Sequence, residues 1–384
     1  MMNNVTVACW CLLMLTACDD TQQGPPAPLS VAAALGAIDN RGFKQAETVR
    51  EFVFPDDHGA HPEYKTEWWY LTGNVTTAAG REFGYQFTLF RNAIAVPVSA
   101  GEAGAQQPHP SNWSTSQIYM AHAALSDIQS GKFYHDEQFS RGALGLAGAG
   151  VRPLKLWLQQ WSVTGREEQC PDCLVLEVAV ATGDFRLQLQ LHNTQPIVLH
   201  GERGLSAKSA VPGNASYYYS YTRLQTNGQI YLGATGYPVS GESWFDHEWS
   251  TSALARGQEG WDWYALQLSN RTELMIFRLR HRTDPQQDYL YGSLVRNGGD
   301  QQTLNGTAIK IQSSHTWHST ASGVTYPSAW DIEVPGYKLA ITPKMPDHEV
   351  NNSFRYWEGA VVVAGTTDGQ TVTGHGYVEL TGYR

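Results

Sequence analysis

Between Phe185 and Leu191 every second residue is apolar, and the residues between them are Arg, Gln and Gln. A strand sends successive side chains to opposite faces, so this period of two suits a half-buried strand and not a helix. The same alternation recurs in Leu154–Leu158, in Leu174–Val180 (LVLEVAV), in Ala265–Leu268 and in Leu274–Leu279, between clusters of Gly, Asn, Asp and Pro. Segments with a 3.6-residue period are scarce, and a short helix or two is expected only within Val31–Glu51. The pattern predicts an all-β protein of antiparallel strands, built as barrels or as sandwiches. A chain of 384 residues has room for two such domains, with the boundary expected around Gly228–Gly241.

Charged residues make up 16% of the chain and hydrophobic residues 42%, which excludes disorder as a description of the whole. The formal net charge of −10 argues against nucleic acid as a partner, because phosphate binding requires a basic surface.

Val5–Ala17 is an apolar run too short to span a bilayer comfortably, and it reads as the core of a secretory signal, although Met1–Asn4 carry no Lys or Arg. Leu15-Thr16-Ala17-Cys18 matches the bacterial lipobox. Residues 1–17 are therefore expected to be cleaved, Cys18 to carry acyl chains and residues 18–45 to form a Pro-rich tether. Asp19 directly after the lipidated position resembles the signal that retains lipoproteins in the inner membrane, which places the body on the periplasmic side. Cys9 and Cys11 would leave with the signal, so Cys170 and Cys173 remain. Lacking two further nearby ligands, this CxxC is expected to be a disulfide at a hairpin tip in an oxidising compartment, not a metal site.

The chain has no GxSxG elbow, Walker A loop, HExxH or GxGxxG motif. Four aromatic and acidic clusters stand out instead. They are Phe54–Trp69 (FPDDHGAHPEYKTEWW), Ser243–Ser250 (SWFDHEWS), Gly260–Tyr264 (GWDWY), and Arg355–Gly359 (RYWEG) with the later Gly376–Tyr383 (GYVELTGY). A carboxyl group desolvated among Trp rings has its pKa raised and can act as an acid, and the same ring faces stabilise a cation. Protonating an unactivated alkene needs both. Candidate acids and partners are Glu67, Asp246, His247, Trp249, Asp262 and Glu358. Candidate ligand contacts are Trp68, Trp69, Trp261, Trp263, Tyr264, Tyr356, Trp357, His58 and His61. Equally, the Trp residues suit a barrel core, and Glu67 and Glu358 suit buried partners of Arg91 or Arg355. Alternation further predicts that Trp261 and Trp263 share one face with Asp262 on the other, and that His247 and Trp249 point away from Asp246 and Glu248. A metal would require His58, His61 and His247 to converge; none is assigned, and no organic cofactor is expected.

Taken in order, FPDDHGAHPEYKTEWWYLTGNV, WFDHEW, GWDWYALQL, ELMIFRLR, YWEGAV and GYVELTGY resemble the carotenoid 1,2-hydratase-like or AttH-like family over roughly Glu51–Arg384. Members of that family are also labelled secreted hydrolases. The resemblance implies two tandem lipocalin-like antiparallel barrels, here 46–232 and 233–384. It implies an apolar isoprenoid, polyene or acyl ligand, either bound on behalf of an inner-membrane ABC transporter or hydrated at an alkene without an organic cofactor. The hydratases' His-x-Trp looks like His247-Glu248-Trp249. Their later Tyr-x-Asp pair has no match, since that region holds Ile276, Phe277 and Arg278. The acid of a hydration would then be Asp246, Asp262, Glu67 or Glu358.

Overall fold

A computed structural model describes residues 29–30, 40–96, 111, 113–166, 173–252 and 254–384. The expected signal segment, the lipidation site Cys18, most of the tether and Cys170 lie outside these residues. Cys173 is disulfide-bonded.

The alternating segments form strands as their period requires. Leu154–Leu158 and Phe185–Asn193 are strands whose side chains alternate between buried and exposed. Among the described residues, helix is confined to three single 3-10 turns, at Asp56–His58, Pro285–Gln287 and Gly306–Ala308. The helix expected within Val31–Glu51 is not found in its described part, because residues 40–51 run as turns and irregular chain. No helix among the described residues is long and apolar enough to cross a membrane.

Among the described residues the strands make two antiparallel sheets, one of 13 strands and one of 11, which curl into tandem lipocalin-like barrels. In the first sheet, Lys132–Arg141, Gln117–Asp127, Glu82–Ala93, Thr66–Thr76, Thr235–Ser250, Ala215–Leu232 and Phe185–Asn193 lie side by side, followed by the strands of residues 147–181. In the second, Asp300–Asn305, Tyr289–Arg296, Glu273–His281, Gln258–Leu268, Gln370–Thr381 and Phe354–Thr367 are neighbours, followed by the strands of residues 310–343. Leu29–Ser30 adds a short parallel pairing to Phe354–Arg355.

The boundary expected at 232/233 falls at the tip of a hairpin. Ala215–Leu232 and Thr235–Ser250 pair along nearly their whole length, joined by a two-residue turn in which Gly233 has φ +57°. A turn this tight needs positive φ, which glycine adopts without steric cost. The glycine-rich sequence that suggested a boundary is therefore hairpin chemistry, and the passage between sheets is residues 251–257.

Each barrel encloses its own apolar core. The first includes Leu71, Phe87, Leu125, Leu189, Tyr219 and Trp249. The second includes Tyr264, Leu266, Trp330, Trp357, Val361 and Leu380. A further cluster of Tyr70, Tyr218, Trp244, Trp263, Phe277 and Tyr377 joins the outer faces of the two sheets. Burying an aromatic or branched apolar side chain contributes about 1.5–3 kcal/mol, so this junction stabilises the pair of barrels as well as lining what lies between them.

Candidate active site

Strand register sorts the sequence candidates into three places. His247 pairs with Trp69 across the sheet, while Asp246 pairs with Tyr70 and Glu248 with Trp68. Directly opposed residues of an antiparallel pair share a face. His247, Trp249, Glu67 and Trp69 accordingly enter the first barrel, and Asp246, Glu248, Trp68 and Tyr70 face the second sheet. In the second sheet Trp263 pairs with Glu379, and Glu379 with Glu358. These three face the first sheet, whereas Asp262, Tyr264 and Trp357 turn into the second barrel.

The set inside the first barrel is a closed polar network. Glu67 accepts hydrogen bonds from Arg91 Nε (2.7 Å), His61 Nδ1 (2.7 Å), the His61 amide (2.9 Å) and His247 Nε2 (2.9 Å). His61 Nε2 donates to Asp57 at 2.9 Å, and Asp57 also accepts two bonds from Arg50. The Tyr219 hydroxyl lies between His58 Nδ1 (2.6 Å) and His247 Nδ1 (3.1 Å). His61 stacks on Trp249 at 3.8 Å and His247 on Trp69 at 4.7 Å. Burial alone would raise the Glu67 carboxyl, but Arg91 and the bonds from His247 and His61 hold it well below the usual range. Burial would lower His61, but Asp57 and Glu67 raise it above its ordinary value. Burial pushes His58 down to about 3, leaving it neutral.

Among the described residues, the cluster whose ligand atoms could converge on a metal is His61, Glu67 and His247, within 4.8 Å of one another. It is not the three-His set. Its donor chemistry also fits poorly, because the ring nitrogens that face Glu67 donate to it and Arg91 already supplies positive charge. The network binds the loop of residues 53–64 to the barrel, and its His58 also lines a separate space with Phe54, Pro153 and Tyr221.

Asp262 has a comparable place in the second barrel. It accepts bonds from Arg280 Nε and the Tyr383 hydroxyl, both at 2.9 Å. Burial raises its carboxyl in spite of Arg280 and Arg278, but it faces away from the space between the sheets. Glu67 and Asp262 therefore do not reach the site described next, and neither do Trp69, Tyr264, Trp357, His58 or His61.

That site is a cleft between the outer faces of the two sheets, enclosing a cavity of about 70 Å³. Trp68, Tyr70, Asp246, Glu248, Trp261, Trp263, Tyr356 and Glu358 line it, as sequence candidates or their strand neighbours. It also takes Lys208, Tyr218, Phe277 and Glu379, which sequence reasoning had not singled out. Half of its lining residues are aromatic, which suits an apolar group of a ligand. Glu379 carried a readable signal: it is a lone carboxylate between Val378 and Leu380, which a strand buries on its other face. Lys208 carried none, since it comes from the connection before the long hairpin. It pairs with Glu248 at 2.7 Å and lies 4.3 Å over the Phe277 ring.

Three carboxyls here have no cation bonded to them. Burial pushes Asp246 up to about 7, although Ser220, Trp244 and Tyr218 all donate to it; Glu248 adds to the rise. The Trp244 indole donates at 2.6 Å and the Tyr218 hydroxyl at 2.9 Å. Burial also pushes Glu379 up to about 7, against a bond from the Trp261 indole at 3.1 Å. Burial and the nearby Glu379 push Glu358 well above the usual range. The Tyr70 hydroxyl bonds one Glu358 oxygen, and the other has no hydrogen-bond partner. Raised carboxyls in an aromatic cleft are a recognisable sign of acid–base chemistry.

A family model described as AttH-like matches residues 45–383. A solved structure described as an AttH from Nitrosomonas europaea is 33% identical, covers 89% of this chain and 100% of that one, and superposes with a TM-score of 0.77. The dehydratase asqC of Emericella nidulans is 25% identical over 205 residues, or 50% of this chain and 57% of that protein. A kievitone hydratase of Fusarium solani subsp. phaseoli is 23% identical over 148 residues, 37% and 41% of the two chains. The chain thus spans about half the length of the curated relatives it matches. The crystal structure of kievitone hydratase from Nectria haematococca shares the fold at 12% identity, with a TM-score of 0.67 over 88% of this chain and 96% of that one.

Proposed function

The chain belongs to the AttH-like family, and from that premise we propose that the cavity between its barrels adds water to, or removes it from, an apolar unsaturated substrate. The observation that carries this reading is Glu358: a buried carboxyl, pushed toward its neutral form, with one oxygen unpartnered beside Trp263 and Tyr356. The hydratase and dehydratase names of its distant relatives support the same reaction class.

In the hydration direction Glu358 gives its proton to one alkene carbon, and the π pair becomes the new C–H bond. The other carbon is left electron-deficient, and the faces of Trp68, Trp261 and Trp263 stabilise it. Water supplies the pair for the C–O bond. Its surplus proton passes to Asp246 or Glu379 and returns to Glu358, so the net change is alkene plus water to alcohol. Dehydration is the same sequence reversed. Positioned acid–base groups of this kind contribute about 10²–10⁴-fold in rate.

Lipid extraction of the protein from its own host, followed by incubation of the extracted alkenes with the protein in H₂¹⁸O, tests this. Mass spectrometry should find ¹⁸O in the product with wild type and not with Glu358→Gln. A tightly bound apolar molecule with no isotope uptake would instead establish the second reading, a binding protein, which the aromatic lining favours. In either reading we propose, from Leu15–Cys18 and Asp19, a lipid-anchored periplasmic protein. As a binder it would hand its ligand to an inner-membrane ABC transporter, which copurification would test.

A further inference from the structure

Asp246 is bonded on the side away from the cavity by a hydroxyl, and that hydroxyl begins a chain. Ser220 Oγ contacts Asp246 Oδ1. His200 Nε2 lies 2.6 Å from Ser220 Oγ, and His200 Nδ1 lies 2.9 Å from Ser293 Oγ. Ser293 Oγ lies 3.0 Å from the Tyr291 hydroxyl, whose oxygen also accepts from the Gly201 amide at 2.5 Å. Tyr291 borders a surface groove with Tyr289, Leu205 and Asn305. Asp246, Ser220 and His200 belong to the first barrel, Ser293 and Tyr291 to the second. His200 is fully buried.

Resting on the reading of Asp246 as an acid–base group, we propose that Tyr291, Ser293, His200 and Ser220 form a proton path from the surface groove to Asp246 across the barrel junction. Each hydroxyl has one proton, so the direction of every bond in the chain is fixed by its end. When Asp246 is ionised, Ser220 donates to it, His200 donates to Ser220 through Nε2–H, Ser293 donates to His200 Nδ1, and Tyr291 donates to Ser293. One proton taken up at Tyr291 reverses all of them. Tyr291 then gives its former proton to Ser293, Ser293 to Nδ1, Nε2 to Ser220, and Ser220 to Asp246. The balance is one proton in at the groove and one delivered to the carboxylate, with no charge left on the ring. Burial keeps that ring from becoming a stable cation, pushing it down to about 3, and Lys208 adds to this.

The titratable or charged groups around the path are Tyr218, Tyr70, Lys208 and Glu248 from the first barrel and Tyr289, Tyr291 and Glu379 from the second. His200 packs on Tyr218 with ring centres 4.3 Å apart. The four path residues are therefore relay and positioning residues, since none of these side chains needs to touch a substrate.

The path makes a tautomer prediction that needs no substrate. In the full chain labelled with ¹⁵N-histidine, the His200 signals are assigned by their absence in His200→Gln. The pH is then lowered through the Asp246 midpoint at about 7. His200 is expected to stay neutral and to exchange Nε2–H for Nδ1–H with the midpoint of Asp246. In Ser220→Ala the exchange is lost, because the link to the carboxylate is cut, and in Asp246→Asn one tautomer persists at every pH. A single His200 tautomer in wild type, a doubly protonated ring, or an exchange that survives Ser220→Ala overturns the path. The ¹⁸O experiment reads the reaction independently, so a tautomer exchange without hydration would retain the path and remove the proposed function, and the converse would do the opposite.

Discussion

The first barrel and the inter-barrel cavity share two strands, Thr66–Thr76 and Thr235–Ser250, yet their electrostatics are opposite. Glu67 and Trp69 go inward, Trp68 and Tyr70 outward; His247 goes inward, Asp246 and Glu248 outward. Inside, Glu67 meets Arg91 and two histidines and is held ionised. Outside, Asp246, Glu358 and Glu379 meet hydroxyls and indoles and are pushed toward neutrality. The difference shows that neither burial nor residue type decides whether a carboxyl is held ionised or pushed toward neutrality. Between these two places the difference is the bonded cation, although at Asp262 burial outweighs even Arg280.

The comparison can be broken most severely from the inside. Arg91→Ala strands the Glu67 charge in the core and is expected to cost about 3–5 kcal/mol in urea unfolding, while turnover per folded molecule is retained. An unfolding midpoint equal to wild type would mean that the network does not hold the barrel. On the outside, Glu358→Gln replaces a neutral acid with a neutral amide of the same shape. It should leave the unfolding midpoint in place and lower turnover about 10²–10⁴-fold, as read by ¹⁸O incorporation.

The pH dependence of stability separates the two places with smaller effects. Asp246 and Glu379 have folded pKa values of about 7 against ordinary values of 3.8 and 4.5. The folded state therefore holds protons that the unfolded chain has lost, and these groups make stability fall as pH rises from about 4 to about 7, after which it levels. Glu67 acts in the other sense: its contribution is present above pH 4.5 and is lost as pH falls through its depressed folded value. Urea titrations at several pH values should show the fall above pH 4 weaken in the Asp246→Asn, Glu379→Gln double variant and persist in Arg91→Ala. The smallest effect is expected of Trp261→Phe, which removes the indole donor to Glu379. One hydrogen bond is worth about 0.5–1.5 kcal/mol, so the Glu379 carboxyl should titrate higher by up to about one unit in infrared difference spectra.

Much of this was open to a reader of the chain. The period of two in Phe185–Leu191 made strands unavoidable, and the family motifs led to tandem barrels. Alternation also gave the local phase: Trp261 with Trp263 against Asp262, and His247 with Trp249 against Asp246. The domain boundary was less legible, because Gly233 looks the same in a linker and in a hairpin turn. The grouping of the site was not legible at all. Glu67-Trp68-Trp69 and Tyr356-Trp357-Glu358 carry similar residues, but the first sends its carboxylate into a barrel and the second sends it into the cavity.

The sequence by itself determined which side chains share a face, since that depends only on the pleat of each strand. Only the tertiary structure decided what each face looks upon, because that depends on how two sheets curl and meet back to back. Glu358 and Glu379 become neighbours through strand register, and they face Asp246 only because the outer walls of two barrels close on one another. Burial without a cation is a property of that closure, and it gives these three carboxyls their raised pKa.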